Sequence, residues 1–165
     1  MQVGENLMPS NNWIEADFEG LDGVVRQLEK IKSEVESHID KVMLRAALKL
    51  EDAVIMRITN YPVKSEGERG LVDTGTLRAS VHSFVRKRFG LTEGVVGTNM
   101  EYAPFLEYGT GVRGAESNHP NKPADYTYGD HPGIKAYKFM WTAWEETKEE
   151  IKRYVLDELG KVVAV

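Results

Sequence analysis

The 165-residue sequence contains no cysteine. That excludes a disulfide scaffold, a thiolate zinc site and a cysteine nucleophile, and the chain does not depend on an oxidising compartment. No stretch approaches the roughly 20 apolar residues that a membrane span requires. The start, Met1 to Asn12, is polar, with Gly4 and Pro9, and has neither the basic nor the apolar region of a signal peptide. Positive charge is in deficit: 21 Lys and Arg stand against 26 Asp and Glu, a net charge of -5. A protein built mainly to grip a phosphate backbone would carry the opposite balance, although a local basic patch remains open. Hydrophobic residues at 41% and charged residues at 28% are ordinary for a globular domain long enough to bury a core without staples. The expectation is a protein that stays in the cytoplasm where it is made, at least until it assembles with something.

Residues 1–12 read as a flexible arm, and 13–165 as a single domain. Trp13 to Phe18 has a short strand-like pattern. From Leu21 to about Ile58, Val24, Leu28, Ile31, Val35, Ile39, Val42, Met43, Ala46 and Leu50 recur at three- and four-residue steps, which predicts a long amphipathic helix. Asp22 suits its N-cap. A bend or break is expected near Ser37-His38, and Asn60-Tyr61-Pro62 ends the helix. Residues 63–70 form a polar loop. Ala79 to Phe89 alternates, with Val81 and Val85 on one face and His82, Phe84, Arg86 and Arg88 on the other. Gly90 to Gly94 reads as a turn and Val95 to Thr98 as the returning strand of a hairpin.

Glu101 to Thr110 is a compact aromatic segment, with Pro104 in the first turn of a short helix and Gly109 as its stop. Residues 111–135 hold three prolines, four glycines and two histidines and read as a long surface loop. Ala136 to about Gly160 is a second amphipathic helix. The order predicts an α+β fold, with a long N-terminal helix and a C-terminal helix packed on one face of a small antiparallel sheet.

Four groups of residues invite a chemical reading. Asp73-Thr74-Gly75 is the tripeptide of aspartic proteases, which need two such aspartates sharing a proton. Thr76 follows it here and the helices do not suit an all-β protease, so a turn and helix cap is the better reading. His119 and His131, near Asp125 and Asp130, match no standard metal-ligand spacing and read as solvated loop residues. Arg86-Lys87-Arg88, with Arg78 and Arg69 upstream, could touch nucleic-acid phosphates; a charged strand edge that blocks unwanted pairing explains them as well. Met140, Trp141 and Trp144 read as core or interface anchors. Gly109-Thr110-Gly111 lacks the lysine of a phosphate-binding loop, and no G-x-S-x-G occurs.

Four motifs in order carry a family resemblance: Phe18-Glu19-Gly20-Leu21-Asp22-Gly23; Val72-Asp73-Thr74-Gly75-Thr76-Leu77-Arg78-Ala79-Ser80-Val81; Val96-Gly97-Thr98-Asn99 with Tyr102-Ala103-Pro104-Phe105-Leu106-Glu107-Tyr108-Gly109-Thr110-Gly111; and Phe139-Met140-Trp141-Thr142-Ala143-Trp144. The sequence resembles the phage tail-completion, or head–tail joining, proteins, the group that includes relatives of the lambda minor tail protein Z. The family often has proline where Lys138 and Trp141 stand here. The resemblance implies a structural virion protein without enzymatic activity, cofactor or metal. Such proteins act at the head-proximal end of a tail, as homo-oligomeric rings, commonly six-fold. Their partners are tail-tube or terminator proteins and head–neck connector proteins. A tail terminator or head-completion adaptor would share these features. DNA at most passes through the lumen. Asp73, Thr74 and Gly75 are expected to form the turn that positions the hairpin, and Leu77 and Arg78 belong to the same interaction motif. Tyr102, Pro104, Glu107, Tyr108 and Gly109 are expected to form a corner packed against the first helix, with Ala103 and Thr110 in the same interaction motif.

Overall fold

A computed structural model describes residues 21–61 and 75–163. The expected arm, the strand at 13–18, the loop at 63–70, and Asp73 and Thr74 lie outside them. The elements in order are α1 (Leu21–Thr59), α2 (Thr76–Ala79), β1 (Val81–Arg88), β2 (Leu91–Thr98), α3 (Ala103–Tyr108), α4 (Gly111–Glu116) and α5 (Phe139–Val163). The fold is α+β, as the order of patterns predicts.

The chain forms two units, residues 1–34 and 35–165. In the first, the opening turns of α1 leave Val24, Val25, Leu28 and Ile31 exposed. Asp22 lies inside the helix and not at its cap, in a first turn where a carboxylate still favours the helix dipole. Arg26 Nε donates to the carbonyl of Asp22, and Lys30 pairs with Glu34 at 3.8 Å.

In the second unit, helical structure is continuous through Ser37 and His38, so of the expected bend or break no break occurs there. The buried face of α1 is the four-residue ladder Val42, Ala46, Val54 and Ile58, with Ala47 beside it. Helix α5 answers with Phe139, Ala143 and Ile151 at the same spacing. Leu77, Val81 and Ala103 complete the core, and Val96, Leu106, Tyr137 and Met140 pack around it. Outside the core, polar contacts also join α1 and α5, among them His38 Nε2 with the Glu158 carbonyl at 3.4 Å, Lys49 with Glu150 at 2.9 Å, and Arg57 with Glu146 at 3.2 Å. As the α1 number rises the α5 number falls, so the two helices run antiparallel.

The two strands form an antiparallel hairpin with Arg88 opposite Leu91. Its tip is therefore Phe89-Gly90 and not the Gly90–Gly94 turn expected from composition. Both tip residues have positive φ, 51° and 76°, the combination that a two-residue type I′ turn demands. Residues on alternate positions face opposite ways. One face carries Val81, Ser83, Val85 and Lys87 with their partners Thr98, Val96, Gly94 and Thr92. It lies on α1: a Cβ at Gly94 would stand 2.8 Å from the Met43 carbonyl oxygen, and Lys87 pairs with Asp40 at 3.2 Å.

The base of the hairpin is held by hydroxyls. Ser80 Oγ donates to the Leu77 carbonyl at 2.8 Å, so its 2.6 Å contact with Thr98 is donated by Thr98 Oγ1. Thr98 in turn accepts the Met100 N–H at 3.2 Å. Among the described residues, no helix is long and apolar enough to cross a membrane.

Candidate functional site

Glu107 is the most connected polar residue of the core. It sits on α3, a six-residue helix with Pro104 in its first turn and Gly109 at its C-cap. Burial leaves it 5% exposed. An ionised carboxylate at that depth needs donors from several directions. Oε2 accepts the Met140 N–H at 2.9 Å; Oε1 accepts the Trp141 N–H at 2.9 Å and His119 Nε2 at 3.0 Å. Met140 and Trp141 belong to the first turn of α5, whose backbone N–H groups have no partner within their own helix. Glu107 thus caps α5 from a distant part of the chain and places negative charge at the positive end of its dipole.

His119 is 6% exposed, so it is no solvated loop residue. Its Nδ1 accepts the Asn121 N–H at 3.1 Å, which leaves the proton on Nε2, aimed at Glu107. Edge-on aromatic contacts surround the pair: Tyr108 with His119 at 4.8 Å, Tyr108 with Tyr126 at 5.1 Å, His119 with Trp141 at 6.0 Å. Burial, and then the charge of Glu107, hold the Tyr108 hydroxyl above its ordinary pKa. Burial, followed by the neighbouring Tyr128 and Tyr108, does the same to Tyr126, whose hydroxyl donates to the Gly109 carbonyl at 2.7 Å.

The residues read as one corner against the first helix divide between two surroundings. Ala103 and Leu106 reach the core with Val54 and Ile58 of α1. Glu107, Tyr108 and Gly109 turn instead towards α5 and residues 111–135, while Tyr102 and Pro104 are exposed. Gly109 is the pivot. Its φ is 78°, and a Cβ there would lie 2.7 Å from Ala136 N, Gly114 Cα and the Ile134 carbonyl oxygen. Thr110 N–H donates to Ile134 O at 2.9 Å, and the Thr110 hydroxyl accepts the Ile134 N–H. Residues 111–135 are not a structureless loop: α4 opens them, pinned by Val112 N–H to His131 O and Arg113 N–H to Pro132 O. Of the second motif, Gly75 has φ 80° at the N-cap of α2, Leu77 is buried in the core and Arg78 is exposed.

Among the described residues no group of three His, Asp or Glu is placed to hold an ion. His131 and Asp130 instead line an open depression with Val112, Arg113, Glu116 and Pro132.

The basic triplet divides between the two faces of the hairpin. Lys87 is spent on Asp40 of α1. Arg86 pairs with Glu93, directly across the strands, at 2.7 Å on the outer face. Arg88 stacks on Phe89, 5.0 Å from the ring centre. The outer face is apolar as well as charged: Phe84 is 49%, Leu91 65% and Phe89 88% exposed.

These motifs can be set against known proteins. Residues 22–109, just over half the chain, match the HK97-gp10-like family, described as a bacteriophage HK97-gp10 tail component. The chain belongs to this family. The match covers α1, the hairpin and α3, and ends at Gly109, so residues 111–135 and α5 lie beyond it. No curated protein and no solved structure matches the chain.

Proposed function

We propose that this HK97-gp10-like chain is a structural, non-catalytic virion protein at the head-proximal end of the tail, where it completes the tail for attachment to the head through ring-forming contacts between subunits. The observation that carries the reading is the match of residues 22–109 to a phage tail-component family. Motif order favours the head-proximal position, through the likeness to the relatives of the lambda minor tail protein Z. The outer hairpin face supports an assembly role, because exposed aromatic and aliphatic side chains on a strand pair are costly unless something covers them. A ring closes through heterologous contacts, so two different surfaces of each copy must meet. The net charge of -5 suits a lumen through which DNA slides without sticking.

The test is deletion of the gene in its phage, followed by negative-stain electron microscopy of the lysate. Filled heads beside unattached tails of normal length are the expected outcome. Over-long tails would reassign the chain to tail termination, and leaking heads to head completion. Intact infectious particles would refute a virion role.

A further inference from the structure

A two-stranded sheet has two open edges, and β1 offers one that is eight residues long. A two-residue turn is closed by a hydrogen-bonded pair, here Arg88 with Leu91, and such pairs alternate along the ladder. His82, Phe84, Arg86 and Arg88 therefore spend their backbone groups on β2, while Ser83, Val85 and Lys87 turn theirs outward. Among the described residues no backbone group pairs with that edge. Neither a proline nor a bulge blunts it. An open row of strand N–H and C=O groups takes another strand. Charge narrows the choice of strand. β1 holds three cations and no acid. Glu93 answers Arg86 and Asp40 answers Lys87, but Arg88 has no carboxylate partner among the described residues. The edge of β2, whose one charge is Glu93, is no match for an acidic strand.

The sequence of residues 13–18 is the acidic counterpart. It alternates as a strand does: Glu15 and Asp17 share one side with Trp13, and Ile14, Ala16 and Phe18 share the other. Beside β1, a single register serves both sides. It sets Glu15 and Asp17 next to Arg86 and Arg88 on the outer face, and Ile14, Ala16 and Phe18 next to Val81, Ser83 and Val85 on the face towards α1. A slip of one residue spoils both matches. The segment of the same copy falls short. From Phe18 to Leu21 an extended chain covers about 11 Å. Helix α1 covers about 28 Å from Leu21 to Asp40, the residue that Lys87 contacts.

We infer that residues 13–18 of one copy add as a third strand to the open edge of β1 in a second copy. This rests on the assembly role proposed above and names its contact. Each copy gives a strand at one surface and receives one at another, so the contact is heterologous and propagates into a ring.

The experiment replaces Trp13 with the photo-crosslinker benzoylphenylalanine in the full chain. An equal mixture of isotopically light and heavy chain is added to a lysate of the deletion phage. The completed particles are irradiated and the cross-linked peptides sequenced. Mixed light–heavy links from position 13 to residues 81–88 are expected. Arg88→Glu alone, or Glu15→Lys with Asp17→Lys, should cut their yield about tenfold through like-charge contact, and all three together should restore it. Arg88 is exposed, so its reversal should leave circular dichroism unchanged. Links confined to one copy overturn the contact and leave the tail reading standing. So do links to β2, to DNA or to another virion protein, the absence of any link, and a yield that the reversals do not alter. A chain that never enters the particles overturns both.

Discussion

The Nε2 proton of His119 points at the Glu107 carboxylate from 3.0 Å, and both residues are nearly sealed from solvent. The pair ties residues 111–135 to the start of α5, because the same carboxylate caps the first turn of that helix. Glu107→Ala would leave one buried and two part-buried donors without an acceptor. It should lower the unfolding free energy by about 3 kcal/mol, read from urea titration, and accelerate hydrogen exchange at Met140 and Trp141. An unchanged midpoint would refute the capping role.

Phe89→Asn should act in the other direction. Asparagine tolerates the left-handed region, and Asn-Gly is the favoured pair for a type I′ tip. Stability should rise by about 1 kcal/mol, measured as the denaturant midpoint of the isolated protein, while cross-linking or pelleting of assemblies falls. A variant that gained stability and assembled normally would show that the aromatic tip has no task.

High pH should weaken the fold. Tyr108 and Tyr126 both have pKa values raised above the ordinary 10.0, mainly by burial. The fold thus prefers their neutral forms. Their contribution is complete below the ordinary value and is lost as pH climbs through the raised ones. Unfolding free energy should be level up to about pH 9.5 and then decline. Tyr108→Phe should flatten part of that decline; a profile identical to the parent would place the effect elsewhere.

Gly109→Ala combines a positive φ with a Cβ 2.7 Å from three backbone atoms. Neither fault can be relieved by a side-chain rotation. A loss of about 3 kcal/mol is expected, with a lower Tm and faster proteolysis within residues 111–135. Normal protease resistance would contradict the pivot.

Phe139→Ala and Phe84→Ala separate core from surface. Phe139 is fully buried, so its truncation should cost about 4 kcal/mol. Phe84 stands on the outer hairpin face, and its truncation should change the stability of the isolated chain by under about 0.5 kcal/mol. Thermal denaturation of the two variants side by side decides it.

The helices were legible because burial imposes a 3.6-residue period, and Val42, Ala46, Val54 and Ile58 write it openly. The fold class follows from the order of the patterns. The hairpin was legible in its strands but not in its turn. Gly90 to Gly94 looks like a five-residue loop, whereas the chain turns at Phe89-Gly90, a position that propensity assigns to asparagine or aspartate. Helix α4 was hidden because Gly111 and Gly114 are poor helix formers; distant carbonyls of His131 and Pro132 hold it. His119 was hidden because its partner lies twelve residues away on another element and no spacing rule links them. Glu107 was singled out through its motif, but its work as a cap for α5 depends on a contact that only folding creates. Lys138 has φ 53°, and nothing in its local sequence announces that.

The two ends of residues 111–135 are held side by side, with Thr110 bonded to Ile134, and Leu106 and Glu107 to Tyr137 and Lys138. A segment closed at its neck can change length at little entropic cost, since loop closure grows only with the logarithm of the number of residues. Within the stretch between Thr110 and Ile134, His119, Ser117 and Tyr126 are the anchors, bonded to Glu107, Ala136 and Gly109. The residues between those anchors can change in length or carry a grafted epitope at little cost to α3 and α5.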